Sequence, residues 1–300
     1  MDSIKNILIL GSGTMGLQIA LQCASYEFNV TVYDVNEKAL GKAEKHLVKL
    51  ADVMAKRNRV SREQATSAPM HISFTADPQT AGQNVDLISE SIPEDPGLKK
   101  KVFAQFNKIC PEHTIFTTNS STLVPSMIAE STGRPNRFAA LHFHDILVTN
   151  IVDIMPHPGT SAQTLEDIRS FCRAIDQYPI ELKKEQHGYV YNTMLVELLQ
   201  SALLLASKEV ASVKDIDRAW MGIMKTRVGP FGIMDSIGLD TAHKVIDYWA
   251  KVNQDPKSHA NAKLLKVFVD KGKLGLKSGQ GFYQYPKPEF LNPEFMEGIR

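Results

Sequence analysis

Gly11, Gly13 and Gly16 stand in the spacing G-x-G-x-x-G directly after the apolar run Ile7 to Leu10, and a helix-spaced apolar segment, Leu17 to Ala24, follows at once. A chain that leaves a buried strand, turns on glycines and enters a helix builds the first unit of a parallel α/β sheet. The glycines permit a tight turn and close backbone approach, and the N–H groups at the helix N-terminus offer a cradle to negative charge. A second strand, Val30 to Tyr33, ends in Asp34, 23 positions after Gly11. A carboxylate there takes both hydroxyls of an adenosine ribose. The loop Gly11, Ser12, Gly13, Thr14, Met15 and Gly16, together with Asp34, is therefore a candidate dinucleotide site. NAD is expected over NADP, because a 2′-phosphate would meet Asp34 charge against charge and no arginine directly follows it, only Val35 and Asn36.

Three hundred residues with 43% hydrophobic composition can bury a large core and divide into two domains. A net charge of +1 provides no field for nucleic acid, so a small-molecule substrate in a local site is expected. Cys23, Cys110 and Cys172 lie far apart without metal-like spacing and read as free thiols of a reducing compartment. No signal-like start and no apolar run of membrane-spanning length is present, so a soluble, cytoplasmic protein with no membrane contact is expected.

Further strand-like runs at Ile72 to Thr75, Val85 to Ser91, Thr114 to Thr118, Phe138 to Phe143, Ile151 to Met155 and Pro179 to Leu182 alternate with helical patterns. That alternation predicts a Rossmann-type doubly wound α/β sheet over residues 1–184. One of the helices, Glu37 to Arg57, sets Lys42, Lys45, Lys49 and Lys56 off its apolar stripe, a solvated face or a contact for a polyanionic substrate tail. Beyond Lys184 helical periodicity takes over, with candidates at Asn192 to Val210, Val213 to Met224 and Pro230 to Val252, the last broken at Gly238. Residues 185–300 thus form a smaller all-α domain. It is too small to cover its apolar stripes alone, and a homodimer through it is expected.

Three segments put polar residues where such a sheet binds ligands, at the carboxyl ends of strands: TTNSSTL, LHFHDILVTNIVDIM and HGYVYNTML. They contain Asn119, Ser120, Ser121, His142, Asp153 and Asn192. Moving a hydride to or from a nicotinamide needs a group that takes or gives the hydroxyl proton, for which histidine is suited, and a carboxylate to charge-stabilise it. A histidine at a strand end also serves as a plain structural hydrogen-bonder. His142 and His144 share a strand face, but with no third and fourth ligand at recognisable spacing no metal is expected.

On these residues, and on IPEDPGLKKKVF, HTIFTTNSSTL, FAALHF, VGPFGIMDSIGLD and GKLGLKSGQGFYQY in the same order, the chain resembles the L-3-hydroxyacyl-CoA dehydrogenase family along nearly its full length. The resemblance implies a Rossmann-type domain followed by a helical dimerisation domain. It also implies NAD-dependent oxidation of a short-chain (S)-3-hydroxyacyl-CoA, such as 3-hydroxybutyryl-CoA, a fatty-acid β-oxidation type of reaction. Carried over by position, the catalytic histidine is His142, the active-site serine Ser121 and the substrate-side asparagine Asn192. Further nucleotide contacts fall on Glu94, Lys99 and Asn119. The family usually reads H-F-F-N-P from its histidine and pairs it with glutamate, whereas this chain reads His142-Phe143-His144-Asp145-Ile146 and has Asp153 at the glutamate's place, in a segment one residue shorter. Asp145 is the rival partner. Similarity of TNSSTL and ELKKEQHGYV to the diketoreductase branch leaves open a non-CoA 3-hydroxy or diketo acid or ester, as for diketoreductase, gulonate or carnitine dehydrogenase. A nucleotide-binding structural protein is the third alternative.

Overall fold

Residues 7–10 are apolar throughout because both faces of their strand are covered. Ile7 and Ile9 feed one cluster with Leu17, Ile19, Leu47 and Ile168, while Leu8 and Leu10 feed another with Phe103, Phe106 and Phe116. Alternate side chains of one strand supplying two cores is the requirement of a doubly wound sheet. The structure, a computed structural model, describes residues 4–297.

Among the described residues eight strands form one sheet: β1 (Asn6–Leu10), β2 (Asn29–Tyr33), β3 (Ile72–Thr75), β4 (Leu87–Glu90), β5 (Ile115–Thr118), β6 (Phe138–Phe143), β7 (Ile151–Met155) and β8 (Tyr178–Glu181), in the order β3-β2-β1-β4-β5-β6-β7-β8. The strands through β6 run parallel, β7 turns back antiparallel to β6, and β8 runs parallel to β7. The order reverses between β1 and β4, the switch point at which such sheets open a crevice beyond their carboxyl ends. Helices α1 (Thr14–Ala24), α2 (Glu37–Lys56), α3 (Arg62–Ser67), α4 (Pro78–Gly82), α5 (Pro96–Asn107) and α6 (Ala162–Ala174) complete this part. Of these, α1, α2, α3 and α6 supply the first cluster and α4 and α5 the second. Asn36 caps α2 by accepting from the N–H groups of Lys38 and Ala39, and the helix buries Leu40, Ala43, Leu47, Leu50 and Met54 while its lysines stay outside.

The chain divides into two compact units, Met1–Val190 and Tyr191–Arg300. The second consists of α7 (Tyr191–Ser207), α8 (Val213–Met224), α9 (Pro230–Ile237), α10 (Leu239–Asn253) and α11 (Pro256–Val269), followed by short 3₁₀ turns. Its core gathers Leu199, Leu203, Phe231, Met234, Leu265 and Tyr283. Two buried aspartates organise it. Asp217 accepts from the N–H groups of Phe231 (2.9 Å) and Gly232 (3.2 Å) and from the Tyr283 hydroxyl (2.9 Å). Asp235 accepts from Phe282 and Tyr283 N–H (both 2.9 Å) and the Tyr285 hydroxyl (3.1 Å). Burial pushes both carboxyls up despite these bonds. Asp235 of VGPFGIMDSIGLD is thus bound to Tyr283 and Tyr285 of GQGFYQY within this unit. Cys23, Cys110 and Cys172 are buried and unbridged. Among the described residues no helix is long and apolar enough to cross a membrane.

Candidate active site

At the end of β1 the chain turns through Gly11 at φ +106°, where a Cβ would lie 2.7 Å from the Ser91 carbonyl oxygen. Gly16, on the first turn of α1, has room for even less, since a Cβ there would sit 2.0 Å from the Gly11 oxygen. Strand and helix therefore meet at backbone contact. Gly13 has open space where its Cβ would be, and α1 begins there with no side-chain cap and no acid in its first turn. An exposed glycine at an uncapped helix N-terminus is the cradle a pyrophosphate fits. Asp34, just beyond β2, is fixed beside it. Its Oδ2 accepts from Ser12 N–H (3.0 Å) and Ser12 Oγ (2.7 Å), and its Oδ1 from Asn36 N–H (3.0 Å). Ser12 thus joins the loop to the Asp34 carboxylate.

Farther along the same sheet edge, Glu90 ends β4 with no exposure and Lys99, on α5, is 1% exposed. Their ion pair is 2.6 Å long, and Lys99 Nζ also reaches Glu94 (3.3 Å) and donates to the Ile92 carbonyl (3.3 Å). Glu90 accepts in addition from Thr118 Oγ1 (2.6 Å) and Ile92 N–H (2.8 Å). Burial pushes the Glu90 carboxyl up, against the pull of Lys99. The ammonium is thus engaged by two carboxylates, the buried Glu90 and the partly exposed Glu94. Glu94 Oε1 accepts from Ser120 Oγ, Thr122 N–H and Thr122 Oγ1. Burial works to raise this carboxyl, but those bonds and the Lys99 charge hold it below the usual range. Glu94 therefore clamps the residues on either side of Ser121. Asn119 Oδ1 accepts from Phe143 N–H (2.7 Å) and ties this loop to β6.

His142 lies on β6 directly opposite Asp153 on β7. The connection through residues 144–150 is short enough to return only as an antiparallel strand, and its turn is built on Asp145, which accepts from Leu147 N–H (3.0 Å) through its side chain. Opposed residues of an antiparallel pair sit close, which is how an aspartate, one methylene shorter than glutamate, reaches the ring. Asp153 Oδ2 lies 3.3 Å from His142 Nδ1, and Ser121 Oγ lies 3.2 Å from His142 Nε2. Asp145, the rival, is occupied with its own turn. The His142 ring is stacked on Tyr189, 4.5 Å between centroids at 10°, and the Tyr189 hydroxyl donates to the Ser120 carbonyl at 2.6 Å. His144 Nε2 meets the same Asp153 Oδ2 at 2.9 Å. Burial tends to raise the Asp153 carboxyl, yet the hydrogen bonds from His142 and His144, and their charges, hold it below the usual range.

An ionised carboxylate only accepts hydrogen bonds, so the Asp153 contact places the proton of neutral His142 on Nδ1. Its Nε2 then carries a lone pair toward Ser121, the arrangement of a general base with an oriented hydroxyl. Sequence reasoning assembled Ser121, His142 and Asp153. It did not find Glu90, whose only signal is a carboxylate ending a strand of apolar residues, or Tyr189, and it weighed His144 only as a metal ligand. Asn192 is the second residue of α7, in the other unit.

A glycine cradle, an acid ending the second strand and a histidine–carboxylate–serine constellation at the carboxyl end of one Rossmann sheet define a nucleotide-dependent dehydrogenase. The chain belongs to the 3-hydroxyacyl-CoA dehydrogenase family: residues 6–186 match its NAD binding domain and residues 188–285 its C-terminal domain. Its cofactor is NAD. It is similar to the mitochondrial hydroxyacyl-coenzyme A dehydrogenase of Homo sapiens, 31% identical over 288 residues that cover 94% of this chain and 91% of that one. Among solved structures it is similar to a diketoreductase described as acting on dicarbonyl compounds, 39% identical with a TM-score of 0.88 over 95% of this chain and all (100%) of that one. It is also similar to the (S)-3-hydroxybutyryl-CoA dehydrogenase PaaH1 of Ralstonia eutropha, 29% identical with a TM-score of 0.85 over the same shares.

Proposed function

We propose that the chain interconverts a short-chain (S)-3-hydroxyacyl-CoA, such as 3-hydroxybutyryl-CoA, and its 3-keto form. The observation that carries this is the line Asp153–His142–Ser121, with contacts of 3.3 and 3.2 Å, in a domain of the NAD-binding kind. Bound NAD supplies the hydride acceptor. His142 Nε2 takes the proton of the 3-hydroxyl, Asp153 stabilises the resulting imidazolium, and Ser121 holds the oxygen; in the reducing direction His142 returns the proton. The assignment of Asn192 to the thioester carbonyl belongs to this proposal and is carried by the resemblance alone. Glu94 acts by holding the Ser121 loop, and Asn119 by joining that loop to β6.

A second reading, a reductase of a non-CoA diketo acid or ester, is favoured by the 39% identity to the diketoreductase. NADH oxidation with acetoacetyl-CoA, acetoacetate and a diketo ester, measured side by side, separates the two. A strong preference for the thioester supports the first, comparable rates on thioester and free acid replace it with the second, and no turnover of any leaves a structural nucleotide-binding protein.

The fixed Asp34 carboxylate leads us to expect NADH as the preferred coenzyme over NADPH. Replacing Asp34 with alanine should weaken NADH by about tenfold or more, the worth of charge-assisted bonds to two hydroxyls, and narrow the preference. A wild-type preference for NADPH in the same titrations would reject the assignment.

The proposal includes a homodimer in the cytoplasm. The helical unit leaves Met194, Leu205, Val210, Ile223, Met224 and Val267 exposed, which supports self-association through it. The unbridged thiols of Cys23, Cys110 and Cys172 support a reducing compartment. Light scattering at micromolar concentration is expected to give twice the chain mass, and a monomer would count against the dimer.

A further inference from the structure

Two imidazoles converge on one oxygen in this site. His144, two residues beyond His142 and on the same side of the β6–β7 pair, places Nε2 2.9 Å from Asp153 Oδ2, closer than His142 Nδ1 at 3.3 Å. The two rings also touch edge to face, with centroids 4.7 Å apart at 75°. Asp153 is 2% exposed, so protein donors fix its carboxylate in place of water. We propose that His144 is a positioning residue: it holds the Asp153 carboxylate in the orientation in which this short side chain serves His142. This deepens the dehydrogenase proposal and rests on it.

The physical need is specific. The Asp153 carboxylate can turn about its Cβ–Cγ bond, and any turn that moves Oδ2 away lengthens a contact to His142 that is already long for a hydrogen bond. A second donor on the same oxygen removes that freedom, and the His144 ring, packed edge to face against His142, restricts the tilt of that ring. The charged and titratable groups around the carboxylate are His142, His144 and, from the segment after β8, Tyr189, whose ring stacks on His142. With its carboxylate one methylene farther along, a glutamate at position 153 is expected to depend less on His144 than the aspartate does. The two positions are therefore expected to act as a coupled pair.

The experiment is a double-mutant cycle of wild type, His144→Phe, Asp153→Glu and the combined variant. It reads kcat and KM on the acceptor that wild type turns over, NADH affinity by fluorescence, and the ring ¹H–¹⁵N spectrum of His142. His144→Phe should lower kcat by about tenfold, the scale of a misoriented catalytic group, with KM and NADH affinity within about twofold. Adding Asp153→Glu should return kcat to within about threefold of wild type, so that the losses do not multiply. In the spectra, His142 should carry its proton on Nδ1 in wild type, lose that single tautomer in His144→Phe and regain it in the combined variant. Full kcat in His144→Phe, multiplying losses, or an unchanged ring spectrum would overturn the proposal. If wild type turns over none of the acceptors, the dehydrogenase proposal falls, while the ring spectra still decide whether His144 holds Asp153.

Discussion

Replacing His142 with glutamine is expected to lower turnover by about 10²–10⁴ while NADH affinity stays within about twofold of wild type, because the mechanism we propose makes this residue the group that exchanges the hydroxyl proton. Glutamine keeps a polar side chain of similar reach but cannot accept and return a proton at neutral pH. In the proposed mechanism the nucleotide rests on other parts of the sheet edge, the glycine cradle and the Asp34 carboxylate held by Ser12. Binding and chemistry should therefore separate. Steady-state kinetics with fluorescence titration of NADH would check this, and a His142→Gln protein that retains wild-type kcat would end the assignment. Asp153→Asn should follow in the same direction with a smaller loss, since the amide cannot stabilise the imidazolium by charge.

The other large effect is expected at Gly16. Alanine there would place a Cβ 2.0 Å from the Gly11 carbonyl oxygen, a distance that only backbone movement relieves. Such overpacking costs about 1–3 kcal/mol or more, and here the displaced atoms belong to the cradle itself. NADH affinity should fall by about 10²-fold, and the rise in Tm that NADH gives the wild type should vanish at the same concentration. Thermal shift with and without NADH reads both. Unaltered stabilisation by NADH in Gly16→Ala would show that the nucleotide does not depend on this close approach.

The strands were legible because a parallel sheet covered on both faces demands apolar runs, such as Ile7 to Leu10 and Phe138 to Leu141. The nucleotide loop was legible because glycines at fixed spacing answer a backbone demand that no other residue meets. The reversal of β7 was not, since apolar runs carry no record of strand direction; only the shortness of the 144–150 connection hints at it. Helix α11 went unread although Asp255 before Pro256 is an N-cap followed by a proline at the first helical position. Its interior mixes lysines with apolar residues and so blurs the stripe. In the site, His142 and Asp153 came from residue type and resemblance, whereas His144 on the same carboxylate depends on cross-strand register. The buried pair of Glu90 and Lys99 escaped for a related reason: the resemblance assigns Lys99 to the nucleotide, and only the fold brings the Glu90 carboxylate beneath it.

Hydride transfer coupled to His142 is the central claim, and isotope transfer tests it most directly. NADH carrying deuterium at both C4 positions is incubated with the wild-type protein and a 3-keto acceptor, acetoacetyl-CoA first, and the 3-hydroxy product is analysed by mass spectrometry. One deuterium bonded to C3 of the product, formed at least about 10²-fold faster by wild type than by His142→Gln, is the predicted result. NADH that binds but is not oxidised with any of the acceptors, or equal rates of deuterium transfer in the two proteins, would contradict it.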